Sequence, residues 1–129
     1  MVKAWFDGAC IPNPGRGGWG FVVRDDAGKL LGSGNGCLGE GSTNNAAELR
    51  ALVEVLLWLK ARPELRPAVI HGDSQWAIGA AMGFKIKKPH LIPLSIAAKA
   101  LVKETDVRLR WVPREENSEA DAESLAALQ

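Results

Sequence analysis

The apolar positions along this chain change period as it proceeds, and the changes mark out its elements. Val2 to Ala9 mixes apolar and β-favouring residues and includes an Asp-Gly pair, the pattern of a first strand. Gly17 to Arg24 reads as a second strand, Asp25-Asp26-Ala27-Gly28 as a turn, and Lys29 to Gly36 as a third strand. Three strands joined by short turns form an antiparallel meander. Glycines inside those strands mark bulges or places where another group comes close. From Asn45 to Ala61 the period lengthens: Leu49, Leu52, Val53, Leu56, Leu57 and Leu59 give one buried helical face. Thr43 or Asn44 caps that helix, and Pro63 and Pro67 end it. Ala68 to His71 is a short buried strand. Asp73 is expected to cap a second helix running through Trp76, Ala77, Ile78, Ala80 and Ala81 toward Met82.

Gly83 to Pro93 is a loop rich in lysine and proline. Leu94 to Lys103 is helical again, and Thr105 to Val112 alternates as a strand that Pro113 stops. Asn117 or Ser118 caps a closing helix over Glu119 to Leu128. The order β-β-β-α-β-α-α-β-α predicts an α/β domain with a mixed sheet covered by helices. No repeat, low-complexity tract or linker divides it, so residues 1–129 form a single domain.

Composition narrows the function classes. The chain is 47% hydrophobic and 24% charged, the balance of a soluble globular domain. A net charge of +1 argues against a protein that coats nucleic acid, yet it leaves room for a local basic strip. Cys10 and Cys37 form no metal-binding spacing and only two histidines are present, which argues against a zinc site; both thiols are expected to be reduced. The start reads straight into a strand, with no signal peptide or spanning helix, so the expectation is a cytoplasmic protein without a membrane role.

Four carboxylates lie at element ends: Asp7, Glu48, Asp73 and Asp121. Asp7 opens the turn Gly8-Ala9-Cys10-Ile11-Pro12-Asn13-Pro14-Gly15. Glu48 lies at the head of the long helix, Asp73 follows the short strand, and Asp121 follows Asn117-Ser118-Glu119-Ala120. Each has a plainer reading. Asp7-Gly8 is a common turn, Glu48 with Asn45 fits a capping box, Asp73 fits a helix cap, and Asp121 fits a solvated helix acid. Together they suit a hard divalent cation, which prefers oxygen ligands, and phosphoryl transfer by two such ions.

Asp7-Gly8, Thr43-Asn44-Asn45 with Glu48, Gly72-Asp73-Ser74-Gln75, and the stretch Trp111-Val112-Pro113-Arg114-Glu115-Glu116-Asn117-Ser118-Glu119-Ala120-Asp121 resemble ribonuclease H, type 1. The likeness runs over essentially the whole chain and is closest to the short branch of that family. It implies a ribonuclease H-like fold: a five-stranded mixed sheet in the order 3-2-1-4-5, with helices on both faces. It implies endonucleolytic hydrolysis of the RNA strand of RNA–DNA hybrids, leaving 5′-phosphate and 3′-hydroxyl ends, with two Mg²⁺ or Mn²⁺ ions. By the same resemblance Asp7 would bridge both ions, Asp73 and Asp121 would complete the one that activates water, and Glu48 would help hold the other. Glu48 and the Cys10 turn would meet ribose 2′-hydroxyls. Asn13, Asn44 and Gln75 would contact the minor groove or sugars, Thr43 a DNA phosphate, and Trp76 a DNA sugar. The remaining tryptophans, Trp5, Trp19, Trp58 and Trp111, are expected to pack against the sheet or helices.

Two departures stand out. Larger members carry a basic protrusion where this chain has only Phe84-Lys85-Ile86-Lys87-Lys88-Pro89-His90. Lys85, Lys87 and Lys88 still attract phosphate, so the expectation is weak, strongly salt-dependent binding of the hybrid. Many members also place a histidine ten residues before the final Asp. Trp111 is there instead, with Arg114 and Glu115 as nearby substitutes, which implies slow turnover and a preference for Mn²⁺. The alternatives are a nuclease of this fold acting on another nucleic acid, or a non-catalytic binder of hybrids or RNA. The expected oligomeric state is monomeric.

Overall fold

The structure is a computed structural model that describes residues 1–129. Five strands form one sheet in the order β3-β2-β1-β4-β5. β1 (Val2–Cys10), β2 (Gly15–Arg24) and β3 (Leu30–Ser42) are the antiparallel meander, while β4 (Ala68–Gly72) runs parallel to both β1 and β5 (Val107–Trp111). The helices are α1 (Asn44–Lys60), α2 (Gln75–Ala81), α3 (Ile92–Thr105) and α4 (Ser118–Ala126). The expected sheet order and element sequence are both present.

Period two along the strands sorts the sheet into two faces. Ala4 and Phe6 on β1, Phe21 and Val23 on β2, and Ile70 on β4 enter a core with Leu49, Leu52, Leu56 and Leu59 of α1. Those four leucines are fully buried, each stabilising the fold by about 1.5–3 kcal/mol. α2 and α3 close the same side against α1. Gly18 and Gly20, of opposite parity to Phe21, face α4 on the other side. A Cβ on Gly20 would sit 2.5 Å from Ser124 N, so the missing side chain is what lets α4 lie directly on β2.

Several boundaries moved. β3 runs six residues past Gly36, through bulged pairing with β2 near Gly17 and Gly39. The lysine- and proline-rich loop contains a single 3-10 turn, Pro89–Leu91, that feeds α3 two residues earlier than the apolar period suggests. Trp5 stacks on His71 at 5.1 Å, and Trp19 and Trp58 pack against the core, as expected. Trp111 does not pack away; the residue is 48% exposed. Both cysteines are free, Cys10 buried and Cys37 exposed. No helix is long and apolar enough to cross a membrane.

Candidate active site

The sheet comes apart where the acids begin. The β1–β4 ladder ends at the pair Phe6–Gly72, and the β4–β5 ladder ends at Gly72–Trp111. Asp7 and Asp73 are the next residues beyond these last pairs. Gly8 brings the third acid in. A Cβ there would lie 2.3 Å from the backbone of Ala47 and Glu48, so β1 and α1 are in backbone contact at this point. The Gly8 N–H then donates to Glu48 Oε2 at 3.1 Å. This replaces the capping-box reading of Glu48, whose carboxylate turns toward β1 instead of back to the helix end. The fourth acid, Asp121, is carried in by α4, which the glycines of β2 admit to the sheet.

Asp7, Glu48 and Asp73 each offer an oxygen within 4.8 Å of the other two. Asp121 lines the same cleft and reaches the Asp7 carboxyl without joining that tight group. Asp7 is 4% exposed. Burial pushes its carboxyl up to about 7; a hydrogen bond with Glu48 opposes this, and the Asp73 and Asp121 carboxylates add to it. Glu48 is pushed up to about 10, first by burial, then by the Asp7 and Asp73 charges, with the Gly8 N–H opposing. None of the four acids takes part in an ion pair. Hard oxygen donors, crowded, half-buried and without a basic partner, fit a divalent cation and fit little else.

The rim is built by local hydrogen bonds. Thr43 Oγ1 accepts from Ala46 N–H and caps α1. Asn13 Oδ1 accepts from Asn44 N–H at 3.1 Å, tying the Cys10 turn to the head of α1. The buried Cys10 thiol donates to the carbonyls of Ser42 and Pro12 and fixes the same turn. Ser74, not Asp73, caps α2: its Oγ accepts from Ala77 N–H, which leaves the Asp73 carboxylate free to face the cleft.

The structure thus brings Asp7, Glu48, Asp73, Asp121, Cys10 and Asn44 into one cleft. Asn13 and Thr43 support its edge, and Gln75 is exposed in the first turn of α2. Trp76 is half-buried against the core and lies outside the cleft lining. Lys85, Lys87 and Lys88 are exposed beyond α2; Lys85 borders a separate groove with Phe84, Ile92 and Ile96. Arg114 lines the acid cleft and Glu115 does not. Trp111 also lines it, with its Nε1–H donating to Asp73 O at 3.2 Å. His71, two residues before Asp73, is held away from the chemistry by its Nδ1 contact to Ala4 O and its stacking on Trp5; burial lowers its pKa.

Asn117 was legible only as a cap. It occupies the cap position of α4, but its side chain makes no capping bond there. Instead it enters the strand fork, where Nδ2 donates to Phe6 O at 2.8 Å. Its place four residues before Asp121 was the one available signal.

Comparison with known proteins agrees with the site. Residues 5–127 match the family model described as reverse transcriptase-like. A ribonuclease H of Herminiimonas arsenicoxydans is 44% identical over 76 residues, covering 58% of this chain and 47% of that protein. The chain spans about half the length of the curated relatives it matches. Solved structures match across nearly the whole chain. The RNase H1 of the halophilic archaeon Halobacterium salinarum NRC-1 is 32% identical with a TM-score of 0.84, covering 98% of this chain and 96% of that one. LC11-RNase H1 in complex with an RNA/DNA hybrid is 28% identical with a TM-score of 0.87, covering 98% and 96%. With its fold, its order of acids and these matches, the chain belongs to the reverse transcriptase-like, ribonuclease H family.

Proposed function

We propose that this cleft hydrolyses the RNA strand of RNA–DNA hybrids, cutting internally to leave 5′-phosphate and 3′-hydroxyl ends. The observation that carries the reading is the group Asp7, Glu48 and Asp73, with oxygens within 4.8 Å, Asp121 beside it and no basic partner. A site that merely binds phosphate gains nothing from four anions. The family membership and the hybrid bound by a structural neighbour support the substrate class.

Asp7, Glu48, Asp73 and Asp121 would hold two divalent ions, Mg²⁺ or Mn²⁺. The chemistry such ions supply when bound is a more acidic attacking water and neutralisation of charge on the leaving 3′-oxygen. The protein's own contribution is to hold its four acids in place before substrate arrives. Asp7 is fixed by strand pairing with β2, and Glu48 by the Gly8 N–H. The Asp73 backbone is fixed by the Trp111 indole. Arg114, on the cleft wall, is placed to attract a phosphate next to the reacting one.

Substrate choice rests on the rim. Backbone groups of the Cys10 turn and the Glu48 carboxyl would read ribose 2′-hydroxyls, which distinguish RNA from DNA. Asn13, Asn44 and Gln75 would meet sugars or the minor groove, and Thr43 a DNA phosphate. Trp76 would meet a DNA sugar through its exposed edge. These contacts read backbone and groove shape, so cleavage should show little sequence preference. Lys85, Lys87 and Lys88 would add a modest electrostatic attraction.

The test is a labelled hybrid incubated with Mg²⁺ and separately with Mn²⁺, beside single-stranded RNA, double-stranded RNA and double-stranded DNA. Metal-dependent cutting of RNA in the hybrid alone is the expected result. Cutting of another duplex would move the protein to a different nuclease activity, and binding without cutting would make it a non-catalytic binder.

A further inference from the structure

The three strand- and helix-borne acids, Asp7, Asp73 and Asp121, come from segments that no backbone pairing holds together at the point where they meet. The β1–β4 ladder stops at Phe6–Gly72. One side chain bridges the gap. Asn117 is 1% exposed, and its Nδ2 donates to Phe6 O at 2.8 Å, on the residue before Asp7. The same nitrogen lies 3.4 Å from Asp73 Oδ2. Its backbone carbonyl accepts from the Asp121 N–H at 3.0 Å in the first turn of α4. A single residue therefore touches all three segments, within a residue of two acids and through the backbone of the third.

The amide satisfies the buried Phe6 carbonyl at the end of the ladder, and it reaches further, to the Asp73 carboxylate. The backbone of Asn117, φ −121° and ψ 26°, is open to any residue. Its side chain makes no helix-capping bond. Its Oδ1 is buried with no partner within the protein, so this half of the amide serves neither the sheet nor the helix cap. A buried amide whose donor is shared between a strand carbonyl and a cluster acid is what a site-organising residue looks like.

We propose that Asn117 is a positioning residue. It sets the spacing of Asp73 and Asp121 against Asp7, and through that spacing the affinity of the cluster for divalent metal. The proposal rests on the metal-dependent reading above, and it is read out by metal binding, apart from the choice of nucleic acid.

Asn117→Ala and Asn117→Ser are compared with the parent and with Asn35→Ala. Asn35 donates to Glu123 Oε2 at 2.8 Å, so the control removes a tether to α4 that does not touch the acids. Mn²⁺ affinity is measured from the electron paramagnetic resonance signal of free Mn²⁺, without nucleic acid. Both Asn117 variants should bind Mn²⁺ about 10–100-fold more weakly. They should also lose kcat on the hybrid while KM stays within about threefold, because substrate contacts remain in place. Asn35→Ala should change neither. Mn²⁺ affinity within twofold of the parent, whatever happens to the melting temperature, overturns the proposal. If the alanine protein does not fold, the serine protein carries the comparison; loss of fold in both also overturns it, by making the amide a requirement of folding. A parent protein that binds Mn²⁺ but leaves the hybrid uncut would refute the substrate reading and leave this comparison standing.

Discussion

The carboxylates of this protein live in two opposite regimes. On the surface, Glu119 pairs with Arg24, Glu104 with Lys60, Glu54 with Arg50, and Asp26 with the N-terminal ammonium. The Arg24 hydrogen bond holds Glu119 below the ordinary glutamate value, and the N-terminus does the same for Asp26. At the cleft, Asp7 and Glu48 have no cation and are pushed up, to about 7 and about 10. Glu119 and Asp121 sit two residues apart on one helix, yet Glu119 is ion-paired with Arg24 while Asp121 lines the cleft without an ion pair. The sequence neighbourhood of an acid therefore says little about its role; its partners in space decide. Glu119 and Asp26 are arranged so that charge is comfortable, and Asp7 and Glu48 so that charge is uncomfortable without a cation.

The largest test of that contrast is Asp7→Asn. Cleavage should fall below about a thousandth of the parent rate, since the acid is central to the cluster. The metal-free protein should nevertheless melt higher at pH 8, by roughly 3–8 °C, because the most deeply buried of the repelling charges is gone. A lower melting temperature would mean Asp7 is stabilising and the contrast is wrong.

Next in size is Gly8→Ala. The new methyl would have to displace the backbone of α1 at Ala47 and Glu48. A loss of about 3 kcal/mol or more is expected in chemical denaturation, together with weaker Mn²⁺ binding, because Glu48 moves with the helix. Wild-type stability in this variant would show that the backbone contact is loose.

The third test is pH. For Asp7 and Glu48 the folded pKa lies above the unfolded one, so the folded protein holds more protons between about pH 4 and pH 10. Their contribution to metal-free stability is fully present below the unfolded value and is lost as pH rises through about 7 and then about 10. The melting temperature of the metal-free protein should fall from pH 5 to pH 9, and Mn²⁺ should raise it more at pH 8 than at pH 5. Glu119 has the opposite sign, contributing above its unfolded value and losing that contribution on acidification. The smallest effect belongs to Glu119→Gln, which should leave the melting temperature within about 2 °C and cleavage unchanged. A larger activity loss there would show that the surface and cleft acids are coupled through α4.

Much of this was legible in the residues, for physical reasons that differ from place to place. The buried leucines of α1 and the proline after it left little freedom, so the helix is found within a residue of where the period put it. The acids were visible because each lies beside small or turn-forming residues, although only Asp73 falls outside a strand or helix. The tail of β3 was not visible, since Gly39 and Gly41 dilute any strand pattern; pairing to β2 carries it. Asp73 and Ser74 are adjacent and both cap helices well, and only the three-dimensional demand for a free carboxylate separates them. Trp111 followed the rule that large aromatics pack away, until its indole N–H found the Asp73 carbonyl at the mouth of the cleft. Asn117 does sit at the cap position of α4, but its side-chain partners were hidden, because local capping chemistry was the only chemistry one strand of sequence could display.

The ladder that ends at Phe6 and Gly72 has one further consequence. A parallel sheet is a zipper, and here it stops one tooth short of the acids. Beyond that tooth β1 and β4 are joined only by side chains, so the amide proton of Asp73, which has no ladder partner, should exchange with solvent faster than that of Ile70 a few residues earlier. The cleft is then the softest seam of an otherwise tightly sewn sheet, and a cation drawn in by the acids would act as its last stitch.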